Sequence, residues 1–213
     1  MKILITGFEP SWGIKKTPSG EIAKIWADGT LKVDGVEVRA IVLPQLFRKS
    51  TEIAVGEIGS FRPDAVIMYG ATQKNDPVRI EKFAINVEKS PMGDNSKIPA
   101  EERPVVRGGP AAYESTLPIG YLVDAMNGQK VETRTSYHAG THVCNSILYG
   151  VLHATSGMEG PPMVGFVHVS FPNEFGVIED RLWSTANFSG IVKSSVVLVE
   201  SLRDWCASRS AVR

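Results

Sequence analysis

The chain has 213 residues, of which 43% are hydrophobic and 22% charged. That suits one folded domain, or at most two small ones, and excludes a disordered or fibrous chain. Lys+Arg and Asp+Glu number 23 each, so the net charge is zero and the balance gives no reason to expect nucleic acid or an anionic membrane as partner. In chain order, Lys2 to Thr6 reads as a strand ending at Gly7, and Ser19 to Trp26 as a helix opened by Thr17-Pro18-Ser19 with Glu21 in its first turn. Val36 to Leu43 is a second strand, Leu46 to Ile58 a second helix, and Ala65 to Tyr69 a wholly apolar strand ending at Gly70. Arg79 to Val87 and Val131 to Tyr137 are further strands, with a short helix at Leu122 to Met126 between them. Val143, Ile147, Val151 and Leu152 recur at helical spacing over about 143–154. Met163 to Val169 is a strand apolar on both faces, and a last helix runs from about Ile191 to Trp205, followed by a polar tail, 207–213, expected to fray. Strands interleaved with helices predict an α/β fold with a mostly parallel sheet.

The stretch from Pro91 to Pro118 shows no period and holds five prolines. A connection of that length is either a functional loop or, in the plainer reading, a covering loop or subunit contact. Two cysteines, Cys144 and Cys206, are too few for a disulfide framework. The apolar run behind Met1 is far too short for a signal-peptide core, and no stretch approaches the ~20 apolar residues of a membrane span. These features predict a cytoplasmic protein with no membrane partner. Glycine-rich dinucleotide and phosphate loops are absent, as is a Gly-x-Ser-x-Gly elbow. His138, His142 and Cys144 fit no standard zinc spacing, so no metal site is expected.

Three residues can carry chemistry. Cys144 follows the turn Ala139-Gly140-Thr141 and opens a helix, where amides and the helix dipole favour a thiolate and can hold an adjacent oxyanion. A buried, inert thiol is the alternative there, and Cys206, at the end of a helix, reads as packing. His168 stands near the carboxyl end of a buried strand, where sites form in open α/β sheets, and reads either as a general base and acid or as a hydrogen-bonded core histidine. Glu81, if it lies in a strand, shares a face with Phe83, Ile85 and Val87 and is then a buried carboxylate in need of a partner; the alternative is a different register that leaves it a solvated surface charge. A thiol, an imidazole and a carboxylate together form a recurring hydrolase constellation.

Several segments resemble the pyrrolidone-carboxylate peptidases, the type I pyroglutamyl peptidases. They are Ile5-Thr6-Gly7-Phe8-Glu9-Pro10, Glu81 to Asn86 with Lys82 in place of Arg, Pro110 to Pro118, Ala139 to Asn145 around Cys144, and Gly165 to Val169 around His168. The resemblance implies a three-layer α/β/α sandwich and a cysteine hydrolase that removes an N-terminal pyroglutamyl group from peptides. By matching position it implies Cys144 as nucleophile, His168 as base and Glu81 as its orienting partner. It also implies Phe8, Trp12, Ala71 and Met92 at the substrate pocket. It implies a peptide or small-molecule substrate, a homo-oligomer (dimer or tetramer), and no metal or organic cofactor. The departures fall in the pocket: Ser11 stands where the family has an aromatic wall, 71–76 replaces a glycine-rich loop, and Pro91 replaces an arginine. These departures keep two alternatives open: a thiol hydrolase for another small acyl or lactam group, and a non-catalytic binding protein on the same scaffold.

Overall fold

The computed structural model describes residues 1–11, 13–72, 77–172, 175 and 187–210. In chain order the elements are β1 (Lys2–Phe8), α1 (Pro18–Ala27), β2 (Glu37–Leu43), α2 (Lys49–Phe61), β3 (Ala65–Thr72), β4 (Val78–Glu81), β5 (Phe83–Ile85), β6 (Glu88–Ser90), β7 (Ala100–Arg103) and β8 (Ala112–Glu114), then α3 (Ile119–Gly128), β9 (Thr133–Ser136), α4 (Val143–Thr155), β10 (Met163–Ser170) and α5 (Phe188–Ser210).

Six strands form the central sheet in the order β2-β1-β3-β10-β4-β9. β2, β1, β3 and β10 run parallel, β4 is antiparallel to β10, and β9 is parallel to β4. Alternation along the strands builds two cores. Ile3, Ile5, Ile67, Tyr69, Val167 and Val169 face α1, α3 and α5. Leu4, Val66, Met68, Val164 and Phe166 face α2 and α4. Both faces are therefore covered by helices, which is why β3 and β10 read as unbroken apolar runs.

Local chemistry sets the joints. Thr17 caps α1, accepting from Gly20 N at 3.2 Å while its hydroxyl donates to Phe8 O at 2.5 Å, which ties the helix start to the end of β1. A Cβ on Gly7 would lie 1.9 Å from Ser19 O, so only glycine permits that approach. α2 starts at Lys49 rather than Leu46, because Arg48 takes a left-handed φ of 60° at the helix start.

The strand expected over 79–87 is broken at Lys82. Its N–H donates to Ser136 O at 2.6 Å and its carbonyl accepts from Ser115 N at 2.8 Å, so the chain passes from the β9 side to β8. Glu81 is fully buried, but Phe83, Ile85 and Val87 are only half-buried, and Glu81 does not share a core face with them. The stretch 91–118 holds two short strands, β7 paired with β6 and β8 paired with β5. Strands of three or four residues are too short to show a period. The last helix continues through Ala207 to Ser210, where a frayed tail was expected, with Ser208 Oγ donating to Trp205 O at 2.8 Å. Residues 211–213 lie outside the described residues.

Candidate active site

Glu81 and His168 meet because of register. In the antiparallel pair β10–β4, Phe166 stands opposite Glu81 and His168 opposite Arg79. Glu81 and His168 are diagonal neighbours on the face turned to α4, within reach of long side chains. His168 Nδ1 lies 2.7 Å from Glu81 Oε1, with Glu81 0% and His168 5% exposed. An ionised carboxylate only accepts, so Nδ1 carries the proton and Nε2 is left for another partner. Burial pushes the Glu81 carboxyl up, but the hydrogen bond and charge of His168, the Ser136 hydroxyl and the Arg79 guanidinium together hold it below its ordinary value.

Cys144 arrives from α4. The turn before it passes through Gly140 at φ 85°, and His142, the residue at the helix start, gives no side-chain cap to the first-turn amides. This helix end is clamped. Asn145 accepts from Ile85 N at 2.9 Å and donates to Ile85 O and Val87 O at 2.9 and 2.8 Å. Thr141 Oγ1 donates to Lys89 O at 3.0 Å, and Ser146 Oγ to Glu88 Oε2 at 3.0 Å. Beneath the sulfur runs Gly70, the partner of His168 in β3. A Cβ there would meet Cys144 Sγ at 3.2 Å and the Phe166 ring at 2.7 Å, so the missing side chain makes room for the thiol.

The sulfur and the imidazole interact directly. Burial pulls the His168 pKa down. The charge and hydrogen bond of Cys144, then the hydrogen bond and charge of Glu81, overcome this and raise it to about 9. The imidazole therefore holds its proton between the sulfur and the buried carboxylate. Cys206 is the opposite case: half-buried on α5, its thiol is pushed up by burial and by the Asp64 carboxylate, with the N-terminal ammonium pulling down.

Two cavities meet at this cluster. A cavity of about 70 Å³ is lined by Phe8, Ile14 and Phe171 together with Gln45, Thr72 and Cys144, and Ser11 and Ala71 also line it. An open groove of about 390 Å³ lies on the His168 side, between Arg79, His138 and Gly140. Ala71 and Thr72 border both. Of the residues expected at the pocket, Phe8 and Ala71 are there. Trp12 lies outside the described residues. Met92 is 68% exposed and lines neither cavity. Gly93 N closes a turn onto Ser90 O at 3.1 Å, which leaves Pro91 and Met92 as its central residues, turned to solvent.

His138 and His142 do not act together. His138 Nδ1 accepts from Gly140 N at 2.8 Å, while His142 Nε2 donates to Gly93 O at 2.8 Å. Among the described residues no three His, Cys, Asp or Glu side chains are grouped to hold a metal ion. Gly70, Arg79 and Asn145 are the site residues that sequence reading missed. Only Gly70 left a signal, as the glycine that ends an apolar strand.

The chain is similar to known proteins over most of its length. A family model described as pyroglutamyl peptidase matches residues 1–190. The pyrrolidone-carboxylate peptidase of Thermococcus onnurineus is 36% identical over 94% of this chain and 98% of that protein. That of Alkaliphilus oremlandii is 32% identical over 94% and 92%. Among solved structures, the pyrrolidone carboxyl peptidase of Pyrococcus furiosus matches with a TM-score of 0.89 at 30% identity, covering 96% of this chain and 99% of the other. The pyroglutamyl peptidase I of Bacillus amyloliquefaciens gives 0.87 at 27%, covering 94% of each.

Proposed function

This chain belongs to the pyroglutamyl peptidase family, and from that premise we propose that Cys144, His168 and Glu81 remove the N-terminal pyroglutamyl group from peptides. The observation that carries the assignment is the 2.7 Å contact of His168 Nδ1 with the buried Glu81, on an imidazole whose proton is held by the neighbouring Cys144 sulfur. The Cys144 thiolate attacks the pyroglutamyl carbonyl carbon. The uncapped first-turn amides of α4 face the developing oxyanion. As the C–N bond breaks, His168 gives its proton to the leaving amine. His168, now neutral, then takes a proton from water as the water attacks the thioester, and pyroglutamate leaves while the proton returns the imidazolium–thiolate pair. Glu81 keeps the imidazole oriented and its charge compensated throughout.

The small cavity beside Cys144 is the place for the acyl group. Phe8, Ile14 and Phe171 suit the flat apolar faces of a five-membered lactam, and the Gln45 amide offers both a donor and an acceptor for its polar edge. This reading also takes the chain as one domain working in the cytoplasm as a homo-oligomer. In its support, the two cysteines are free, and no described helix is long and apolar enough to cross a membrane. Ile98 and Tyr137, 70% and 66% exposed, offer apolar contact surface.

The test is release of a fluorescent amine from a pyroglutamyl amide. Wild type should release it, and Cys144→Ala should lower the rate at least ~10³-fold with its fold intact by circular dichroism. Release that survives Cys144→Ala would overturn the assignment.

A further inference from the structure

The small cavity that the proposed function gives to the acyl group has two kinds of wall, and this inference takes that placement as given. Ala71 and Thr72 stand on β3 and Cys144 on α4, so regular structure fixes them. Ser11 and Ile14 stand in the connection between β1 and α1, and Gln45 in the one between β2 and α2. Asn95, from a third connection, ties these two together. Its Nδ2 donates to Glu9 Oε1 at 2.8 Å and to Pro10 O at 3.1 Å, and its backbone N–H donates to Gln45 O at 3.0 Å. Glu9 Oε1 also accepts from Gln45 N at 3.3 Å, which closes the bracket. Glu9 follows Phe8 and Pro10 precedes Ser11, so the bracket grips the chain beside two cavity residues and at a third.

The turn that carries Asn95 is itself anchored. Asp94, 6% exposed, accepts from Phe47 N and Ser96 N at 2.8 Å each. Gly93 O accepts from Ser90 Oγ and from His142 Nε2, both at 2.8 Å, and His142 stands two residues before Cys144. Gly93 takes φ 73°, and a Cβ there would lie 2.5 Å from Ile98 O, so glycine is required at this turn. The same turn thus reaches the start of the nucleophile's helix on one side and the acyl pocket on the other. Asn95 lines neither cavity, so it can act on the reaction only through Glu9, Pro10 and Gln45. We propose that Asn95 is a positioning residue for the acyl pocket. It sets the gap between the Ser11 and Gln45 walls, and with it the affinity for the pyroglutamyl ring, while leaving the Cys144–His168 chemistry alone. Walls held in place before substrate arrives avoid the ordering cost that binding would otherwise carry.

The experiment reads KM and kcat for a pyroglutamyl amide, beside alkylation of Cys144 by iodoacetamide with and without 2-pyrrolidone, the bare five-membered lactam. Asn95→Ala should raise KM about tenfold or more, with kcat within about threefold of wild type. The concentration of 2-pyrrolidone that protects Cys144 should rise by the same factor. The alkylation rate without 2-pyrrolidone, and its pH profile, should stay as in wild type, which a general loss of structure would not allow. Asn95→Asp sets a second carboxylate against Glu9 and should lose more. Adding Glu9→Gln restores a donor between the two side chains and should recover part of that loss. KM and protection within about twofold of wild type in Asn95→Ala overturn the proposal, as does a loss carried by kcat with slowed alkylation. An Asn95→Asp enzyme that Glu9→Gln leaves no better overturns it too. Should Asn95→Ala fail to fold, Glu9→Ala removes the same hydrogen bond from the other side: a like rise in KM supports the proposal, and an unchanged KM overturns it. Release by wild type with KM unmoved in the variants sinks this inference only, while no release by wild type sinks the peptidase assignment and this inference with it.

Discussion

Among the described residues two glutamates, Glu81 and Glu88, are fully buried, and both bear on the first turn of α4. Glu81 holds His168, which holds the Cys144 sulfur. Glu88 accepts from Ser146 Oγ and pairs with Arg103, with Arg48 at 3.9 Å. Both carboxylates are 0% exposed, and their partners differ. A guanidinium keeps its charge at any ordinary pH, so the Glu88 cluster is a fixed brace between α4 and the β6–β7 hairpin. An imidazole gains and loses its proton, so the Glu81 cluster can take part in a reaction. The identity of the cation separates a working site from a structural one, where burial and hydrogen bonding do not.

The largest expected effect is on the working side. Glu81→Gln keeps the shape of the side chain but removes the charge that orients and supports the imidazolium. It should lower kcat by roughly 10²–10⁴-fold. Steady-state kinetics with a pyroglutamyl amide, beside urea unfolding of the same variant, would check this. A Glu81→Gln enzyme with near-normal kcat would make Glu81 a brace like Glu88 and end the distinction.

Glu88→Gln should do the reverse. Breaking a buried charge pair costs about 3–5 kcal/mol, and here the cost should be nearer 2–3 because Arg103, 44% exposed, can turn its head to water. The kcat of the folded enzyme should stay within about threefold of wild type. A large fall in kcat at unchanged stability would place Glu88 in the reaction machinery and break the comparison from the other side.

The two clusters also differ in how far the sequence reveals them. Glu81 stood out as a carboxylate among apolar neighbours, and His168 as a histidine ending a buried strand. Both fell on the α/β framework that β1, β3 and β10 make plain through their apolar runs. Even so, the face assigned to Glu81 was wrong beyond Lys82, because two backbone hydrogen bonds redirect the chain there. Glu88 gave no signal. Its partner Arg103 lies in the aperiodic stretch, and Arg48 precedes α2 with a positive φ of 60° that no pattern announces. Arg79 was hidden for a similar reason, since it faces His168 only through a register that depends on long-range pairing. Met92 erred the other way: position in the motif suggested the pocket, and a tight turn sends it to solvent.

The smallest effect is a pH dependence that should separate the clusters without touching the active sulfur. The His168 pKa is raised in the fold, from about 6.5 to about 9. A raised group stabilises the fold fully below its unfolded value and loses that contribution as pH climbs through the folded one. Glu81 supplies part of the shift, so the stability lost in Glu81→Gln should be greatest near pH 6 and shrink by roughly 1–2 kcal/mol towards pH 9.5. On the acid side the sign reverses: the Glu81 pKa is lowered, so its contribution is present above its unfolded value of about 4.5 and fades as pH falls below it. The stability lost in Glu88→Gln should be level between pH 6 and 9.5, because no guanidinium titrates there. Urea midpoints of both variants and wild type across that range would decide it. Parallel curves for the two variants would mean that His168 keeps its proton without help from Glu81, leaving the Cys144 sulfur to hold it alone.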